Sequence, residues 1–243
     1  SEILNIEKIA KTKNKIVNIG IRLNPNTDAN TLSQISTGKK ENKFGVSEKG
    51  FLELTKYIQH SEYMNLRCLS VHIGSQILDI RPYEKMLIVL DRIIKKTNYH
   101  FEYIDLGGGM GIDYKNSNKK LNLKKYSLIV KKFKEKHKTK IIFEPGRSII
   151  GDSGILITKI IYIKEGHKKN FVILDAAMND FMRPALYNAR HRIIPAIKNE
   201  SQSNKTYEFV GPICESTDKF STNKKFQKLH ENDLILICDV GAY

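Results

Sequence analysis

Apolar positions in this chain recur at two alternating periods. Ile3, Ile6, Ile9 and Ala10 share one face of a predicted helix over residues 2–12, and Ile16 to Leu23 then alternates as a strand that stops at Asn24-Pro25. A polar loop runs through Asn42, and Phe51, Leu52, Leu54 and Tyr57 predict a helix from about Glu48 to His60. Two more pairs and a last strand follow: strand Leu66 to Ile73 with helix Pro82 to Thr97, strand Phe101 to Leu106 with helix Leu123 to His137, and strand Ile141 to Phe143. Pro82 opens its helix where a missing N–H costs nothing. Four β/α units of this kind make half of an eight-unit parallel barrel. In such barrels the chemistry gathers at the carboxyl ends of the strands.

After Ile150 the pattern changes. Ile155 to Ile163, Phe171 to Leu174, His191 to Ile197, Thr206 to Val210 and Asp233 to Cys238 are short β-rich runs with little helical period. The sequence therefore predicts an α/β protein of two parts. Residues 1–150 form the C-terminal half of a TIM-type (β/α)8 barrel, and residues 151–243 an incomplete β-sandwich or β-barrel domain. The Gly151-Asp152-Ser153-Gly154 stretch links them.

Composition narrows the function. The net charge is +15, which raises the prospect of a nucleic-acid partner. Of the 41 basic residues 33 are Lys, however, and they spread over nearly every segment and onto predicted outer helix faces. Nucleic-acid modules concentrate Arg and aromatics on one element, so a solvated surface is the better account. No apolar run reaches the roughly 20 residues of a bilayer span, and no membrane partner is expected. Cys68, Cys214 and Cys238 have neither metal-ligand spacing nor an even count for disulfides, so no metal is expected and a cytoplasmic setting is.

Three loops at strand ends carry candidate chemistry. Gly107-Gly108-Gly109 would let a phosphate approach backbone N–H groups, although glycine runs also serve tight turns. In Glu144-Pro145-Gly146-Arg147, Pro145 holds Glu144 extended, and the Arg147 fork suits a phosphate or carboxylate. An internal Glu144–Arg147 ion pair is the plainer reading. His72 precedes Gly74 and Ser75, and suits stacking on an aromatic ligand, general-base work or simply a satisfied core position. Pyridoxal phosphate is the one cofactor that asks for a phosphate cradle, an acidic partner for a ring nitrogen and a stacking group together.

With these motifs in order the chain resembles the diaminopimelate decarboxylase family, within the fold-type III, alanine-racemase-like pyridoxal-phosphate enzymes. The matching stretches include Arg22-Leu23-Asn24-Pro25, Thr37-Gly38, Lys43-Phe44-Gly45, His72-Ile73-Gly74-Ser75-Gln76, Asp105 to Gly111 and Glu144 to Arg147. Further on they include Met178-Asn179-Asp180, Arg183 to Tyr187, Gly211 to Ser216 and Gly241-Ala242-Tyr243.

The resemblance implies a carboxy-lyase that uses pyridoxal 5'-phosphate to convert meso-2,6-diaminopimelate to L-lysine and CO2, the last step of lysine biosynthesis. A sister decarboxylase acting on ornithine, arginine or carboxynorspermidine is the alternative. The resemblance assigns His72 to the cofactor ring, Ser75, Gly108 and Gly109 to its phosphate, and Glu144 to its ring nitrogen. Pro145 and Gly146 shape that turn. Arg147 would serve phosphate and substrate, and Tyr243 cofactor and substrate. Arg183 and Tyr187 would bind the substrate's distal end, Glu215 an ammonium group, and Cys214 would be the catalytic acid. Without the resemblance, Arg183 and Tyr187 could be a helix-surface pair and Cys214 structural. In this family the Cys-Glu pair reaches the site from the partner subunit of a homodimer. The family's Schiff-base lysine lies in a Tyr-Ala-x-Lys stretch, and none occurs here. The expectation is thus an internal fragment of a longer protein, inactive by itself. Two other classes stay open at this point: a non-catalytic homologue, and a phosphate-binding barrel without pyridoxal.

Overall fold

A computed structural model describes residues 2–27, 43–201 and 205–243. Thr37-Gly38 and most of the expected polar loop lie outside them. The chain divides into two compact units, Ser1–Gly111 with Lys120–Gly146, and Ile112–Lys119 with Arg147–Tyr243.

The first unit begins with α1 (Glu2–Thr12) and β1 (Val17–Arg22), and then repeats helix and strand. α2 (Glu48–Gln59) leads to β2 (Met64–Ser70), α3 (Arg81–Thr97) to β3 (Tyr103–Asp105), and α4 (Leu123–His137) to β4 (Lys140–Ile142). The four strands form one parallel sheet in the order β1-β2-β3-β4, so α2, α3 and α4 are each a crossover between neighbouring strands. Local chemistry sets the helix ends. Ser47 caps α2 by accepting from Gly50 N–H at 3.2 Å, and Asn122 caps α4 by accepting from Lys125 N–H at 2.9 Å. α3 and α4 stop at Asn98 and Lys138 in left-handed conformation, with φ of +47° and +49°.

Burial follows the expected periods. α3 turns Tyr83, Met86, Leu87, Leu90 and Ile93 onto the sheet residues Leu66, Leu69 and Ile104. β3 is shorter than the apolar run that predicts it, and β4 is shifted by one residue. The ladder nevertheless continues into the loops: Val71 N–H donates to Asp105 O at 2.8 Å, and Leu106 N–H to Ile142 O at 3.0 Å. The partial parallel barrel expected from the repeats is present in this form.

The second unit holds a six-stranded mixed sheet in the order β7-β10-β5-β6-β8-β9. These strands are β5 (Ile155–Lys164), β6 (Lys169–Leu174), β7 (Ile193–Pro195), β8 (Thr206–Val210), β9 (Lys219–Asn223) and β10 (Leu234–Cys238). Ile160, Val172, Leu174, Phe209, Ile235 and Ile237 form its core, with Phe181, Tyr207, Phe220 and Phe226 packed around them.

Three elements here escaped the sequence pattern. α5 (Arg147–Ile150) and α6 (Arg183–Tyr187) are single turns, too short to show a helical period. β9 is an edge strand whose sequence Lys-Phe-Ser-Thr-Asn offers one inward apolar residue, Phe220. The expected strand over His191–Ile197 is regular only over Ile193–Pro195, although backbone bonds to β10 continue at Arg192 O and Ala196 N–H. Among the described residues no helix is long and apolar enough to cross a membrane, and no three His, Cys, Asp or Glu side chains are grouped to hold a metal.

Candidate active site

In the first unit the loops after β2, β3 and β4 leave the same edge of the parallel sheet. The glycine run after β3 holds them together. Gly107 and Gly109 adopt φ of +66° and +87°, open to glycine and strained for other residues. Added side chains would also collide with backbone. A Cβ at Gly107 would lie 2.5 Å from Val71 O, one at Gly108 2.1 Å from Glu144 O, and one at Gly109 2.3 Å from Gly74 O. Backbone hydrogen bonds close the same contacts: Glu144 N–H donates to Gly107 O at 2.9 Å, and Ile77 N–H to Gly109 O at 2.9 Å.

Two side chains anchor the glycine run from beneath. Asp105, buried at the end of β3, accepts from Gly107 N–H at 2.8 Å, and Tyr83 of α3 donates its hydroxyl to Gly108 O at 3.1 Å. His72 supplies the third restraint. Its Nδ1 accepts from Gly108 N–H at 3.2 Å, so that nitrogen carries a lone pair and the proton of the neutral ring sits on Nε2. Burial, and then the charge of Arg22, pull the proton affinity of His72 below its ordinary range, with Asp105 opposing. The imidazole is therefore neutral near pH 7. Residues 72, 107–109 and 144 are thus brought together, with Ser75 in the loop that interlocks with Gly109 and Glu144 exposed at its strand end.

The second unit contains a different cluster. Arg147 and Arg183 are both buried, with 6% and 8% of their surface accessible, and both lie against Tyr114 from the Ile112–Lys119 segment. Arg147 donates to the Tyr114 hydroxyl, and the Arg183 guanidinium carbon stands 4.6 Å from the Tyr114 ring centroid. Tyr243 packs on the other cation, its ring 4.8 Å from the Arg147 guanidinium carbon. The turn between α5 and β5 positions the segment before Tyr243, since Gly241 N–H donates to Gly151 O at 3.1 Å and Val240 N–H to Gly154 O at 3.1 Å. Tyr187 is half-buried at the end of the turn that Arg183 begins.

Cys214 and Glu215 are exposed on a separate loop before β9. Their scaffold is Asp218, a buried carboxylate that accepts from Met178 N–H at 2.7 Å and Ile213 N–H at 2.9 Å. Glu215 accepts from Thr217 N–H at 3.3 Å and from the hydroxyls of Ser216 and Thr217, which hold its carboxyl below the usual range. Cys68 is half-buried beside Asp105, and burial raises its thiol to about 11. Cys238 is buried in β10.

Residues 27–241 match the family profile described as pyridoxal-dependent decarboxylase, C-terminal sheet domain. The chain belongs to the pyridoxal-dependent decarboxylase family. Among its relatives in this family, a Neisseria meningitidis serogroup B protein named diaminopimelate decarboxylase is 40% identical, over 100% of this chain and 58% of its own length. A namesake from Aquifex aeolicus is 37% identical, over 98% of this chain and 57% of its own length. The crystal structure of diaminopimelate decarboxylase from Helicobacter pylori complexed with L-lysine matches at a TM-score of 0.92 and 40% identity, over 100% of this chain and 61% of that one. The chain therefore spans about three fifths of the length of the relatives it matches.

Pyridoxal phosphate is the cofactor of this family, and the first unit's loops fit it. A phosphate needs backbone N–H groups with no side chain in the way. In the glycine run the Cβ positions are taken by backbone of the neighbouring loops, and the Gly107 and Gly108 N–H groups are engaged by Asp105 and His72, so the N–H of Gly109 is the one a phosphate would use. A pyridine ring needs a flat, uncharged neighbour, and the Gly108 N–H fixes the His72 imidazole in that state.

Four residues of these clusters were not singled out as candidates from sequence: Asp105, Tyr114, His191 and Asp218. Asp105 sits two positions before the glycine run and could have been found there. The others act through partners distant in sequence, and no local pattern marks them.

Proposed function

We propose that the intact protein decarboxylates meso-2,6-diaminopimelate to L-lysine and CO2, as a cytoplasmic homodimer whose substrate is a small amino acid. The observation that carries the choice of substrate is the pair of buried guanidinium groups, Arg147 and Arg183, flanking Tyr114. A substrate with a second, non-reacting carboxylate supplies the negative charge that such a pair calls for. A polyamine precursor supplies none. The names of the relatives point the same way.

Bound pyridoxal phosphate supplies an electron sink for the pair left behind when the carboxylate departs as CO2. His72, held neutral, would stack on the cofactor ring. Ser75 and Gly109 would bind the phosphate, Gly108 would shape that turn through its bond to His72, and Arg147 would add charge. Glu144, held extended by Pro145 with Gly146 freeing the turn, keeps the ring nitrogen protonated. Arg183 and Tyr187 fix the substrate's distal end, and Tyr243 contacts cofactor and substrate. Glu215 takes an ammonium group. Cys214 donates the proton that replaces CO2 on the α-carbon, and with Glu215 it serves the partner subunit's site.

The test is CO2 release by the full-length holoenzyme with meso-diaminopimelate and with ornithine, arginine and carboxynorspermidine. Turnover of the first should exceed the others by at least about a hundredfold in kcat/KM, the scale set by an unpaired buried cation. Equal turnover of ornithine would overturn the substrate assignment. A full-length protein with no visible absorbance band bleached by borohydride would overturn the enzymatic reading altogether.

A further inference from the structure

Arg183 poses a question that the proposed function does not answer. Among the described residues it has no Asp or Glu within salt-bridge distance, yet it is 8% accessible. Burying a guanidinium without a carboxylate is costly unless its N–H groups are otherwise engaged. Its protein partners are both uncharged, the Tyr114 hydroxyl and a histidine: Arg183 Nη1 lies 3.0 Å from His191 Nε2.

The protonation of that histidine follows from its neighbours. His191 Nδ1 lies 2.9 Å from the carbonyl oxygen of Cys238, which can only accept, so Nδ1 carries the proton. Nε2 then holds a lone pair, and Arg183, which can only donate, points an N–H at it. Any other protonation state would set two donors against each other. Phe181 and Tyr114 stand edge-on to the imidazole, at 4.6 Å and 4.9 Å between centroids, and leave it 4% accessible. Burial above all, with added repulsion from Arg183 and Arg147, lowers the proton affinity of His191 to about 4, against the backbone acceptor's opposing pull.

We propose that His191 is a positioning residue for Arg183, orienting the guanidinium fork toward the substrate's distal carboxylate without neutralising it. A carboxylate at this position would hold the arginine equally well but would compete with the substrate for its charge. A neutral acceptor fixes one N–H and leaves the positive charge and the remaining donors available. Tyr114 contributes the flat surface on which the guanidinium lies. This inference rests on the reading of Arg183 as the distal-carboxylate ligand.

The experiment uses the full-length holoenzyme, with binding of L-lysine and of 1,5-diaminopentane measured by calorimetry. The first ligand keeps the carboxylate that decarboxylation leaves behind, and the second lacks it. His191→Asn retains a donor near the Cys238 carbonyl but is too short to accept from Arg183, whereas His191→Gln places an acceptor near the original Nε2. We expect His191→Asn to weaken L-lysine at least about tenfold, the loss of an oriented charged contact. His191→Gln should recover most of it, diaminopentane should be unaffected by either, and the cofactor absorbance should not change. Equal L-lysine affinity in the two variants, or parallel losses for both ligands, would overturn the positioning role. If the wild-type enzyme itself does not prefer L-lysine to the diamine, the reading of Arg183 fails, and the inference with it.

Discussion

Gly108 is the residue where sequence, geometry and chemistry meet most tightly. Its backbone is within reach of any L residue, so only space forbids a side chain: the added Cβ would sit 2.1 Å from Glu144 O. Gly108→Ala should therefore push the β4 loop away from the glycine run, at a cost of about 1–3 kcal/mol. Unfolding in urea would measure that cost, and the retained cofactor absorbance should fall sharply at the same time. Stability and absorbance both at wild-type levels would mean that the loops are not interlocked. His191 gives a second prediction at this scale. Its folded-state proton affinity, about 4, is depressed from the ordinary 6.5. Its contribution to stability is complete above pH 6.5 and is lost as pH falls toward 4, where the unfolded chain binds the proton and the folded chain does not. The loss is on the order of 3 kcal/mol for a shift of this size. The gap in unfolding free energy between wild type and His191→Phe should narrow by that order between pH 7 and pH 4; a constant gap would refute the depressed affinity. The glycine run, His72 and Glu144 were legible in the sequence because each announces itself within five residues. His191 and Tyr114 were not, since their partners lie 8 and 33 positions away.

At the scale of elements, legibility followed length and burial. Helices of 11 to 17 residues with one apolar face, such as α1 and α3, were predictable to within a residue or two. Strand ends were less so: regular β3 covers only the middle of the Phe101–Leu106 run, although a backbone bond to the neighbouring strand continues at Leu106. Single turns leave no periodic trace, and α6 is readable only through Pro184 at its start and Asn188, left-handed, at its end. The loop of Cys214 depends on one side chain outside the quoted motif. Asp218 gathers the N–H groups of Ile213 and Met178, joining the loop to the segment before α6. Asp218→Ala leaves those donors without their carboxylate and should cost on the order of 3 kcal/mol. Because Cys214 is carried by that loop, kcat of the holoenzyme should also fall while cofactor absorbance persists. An unchanged urea midpoint would show that the carboxylate does not organise the loop.

For the molecule as a whole, charge says less than arrangement. The 33 lysines give a net +15 without marking a partner, since many, such as Lys49, Lys95 and Lys131, sit on outer helix faces near a carboxylate one turn away. Such exposed pairs contribute little. The informative arrangement is that Cys214 and Glu215 are exposed on a loop of their own, while Arg183 is buried with Tyr114 and His191. If the Cys-Glu pair serves the partner subunit, one site takes Arg183 from one chain and Cys214 from the other. Two inactive variants, Arg183→Ala and Cys214→Ala, then complement each other. In a mixed dimer one site carries both lesions and the other carries neither. Random assortment of equal amounts makes half the dimers mixed, so the mixture should regain about a quarter of wild-type activity after subunit exchange. Sites built from a single chain would regain none, because every site would then keep its own lesion. The same mixture of Arg183→Ala with Tyr187→Ala is the control and should regain no activity in either case. Those residues share one helical turn, so their lesions fall on different sites of a mixed dimer and neither site is whole.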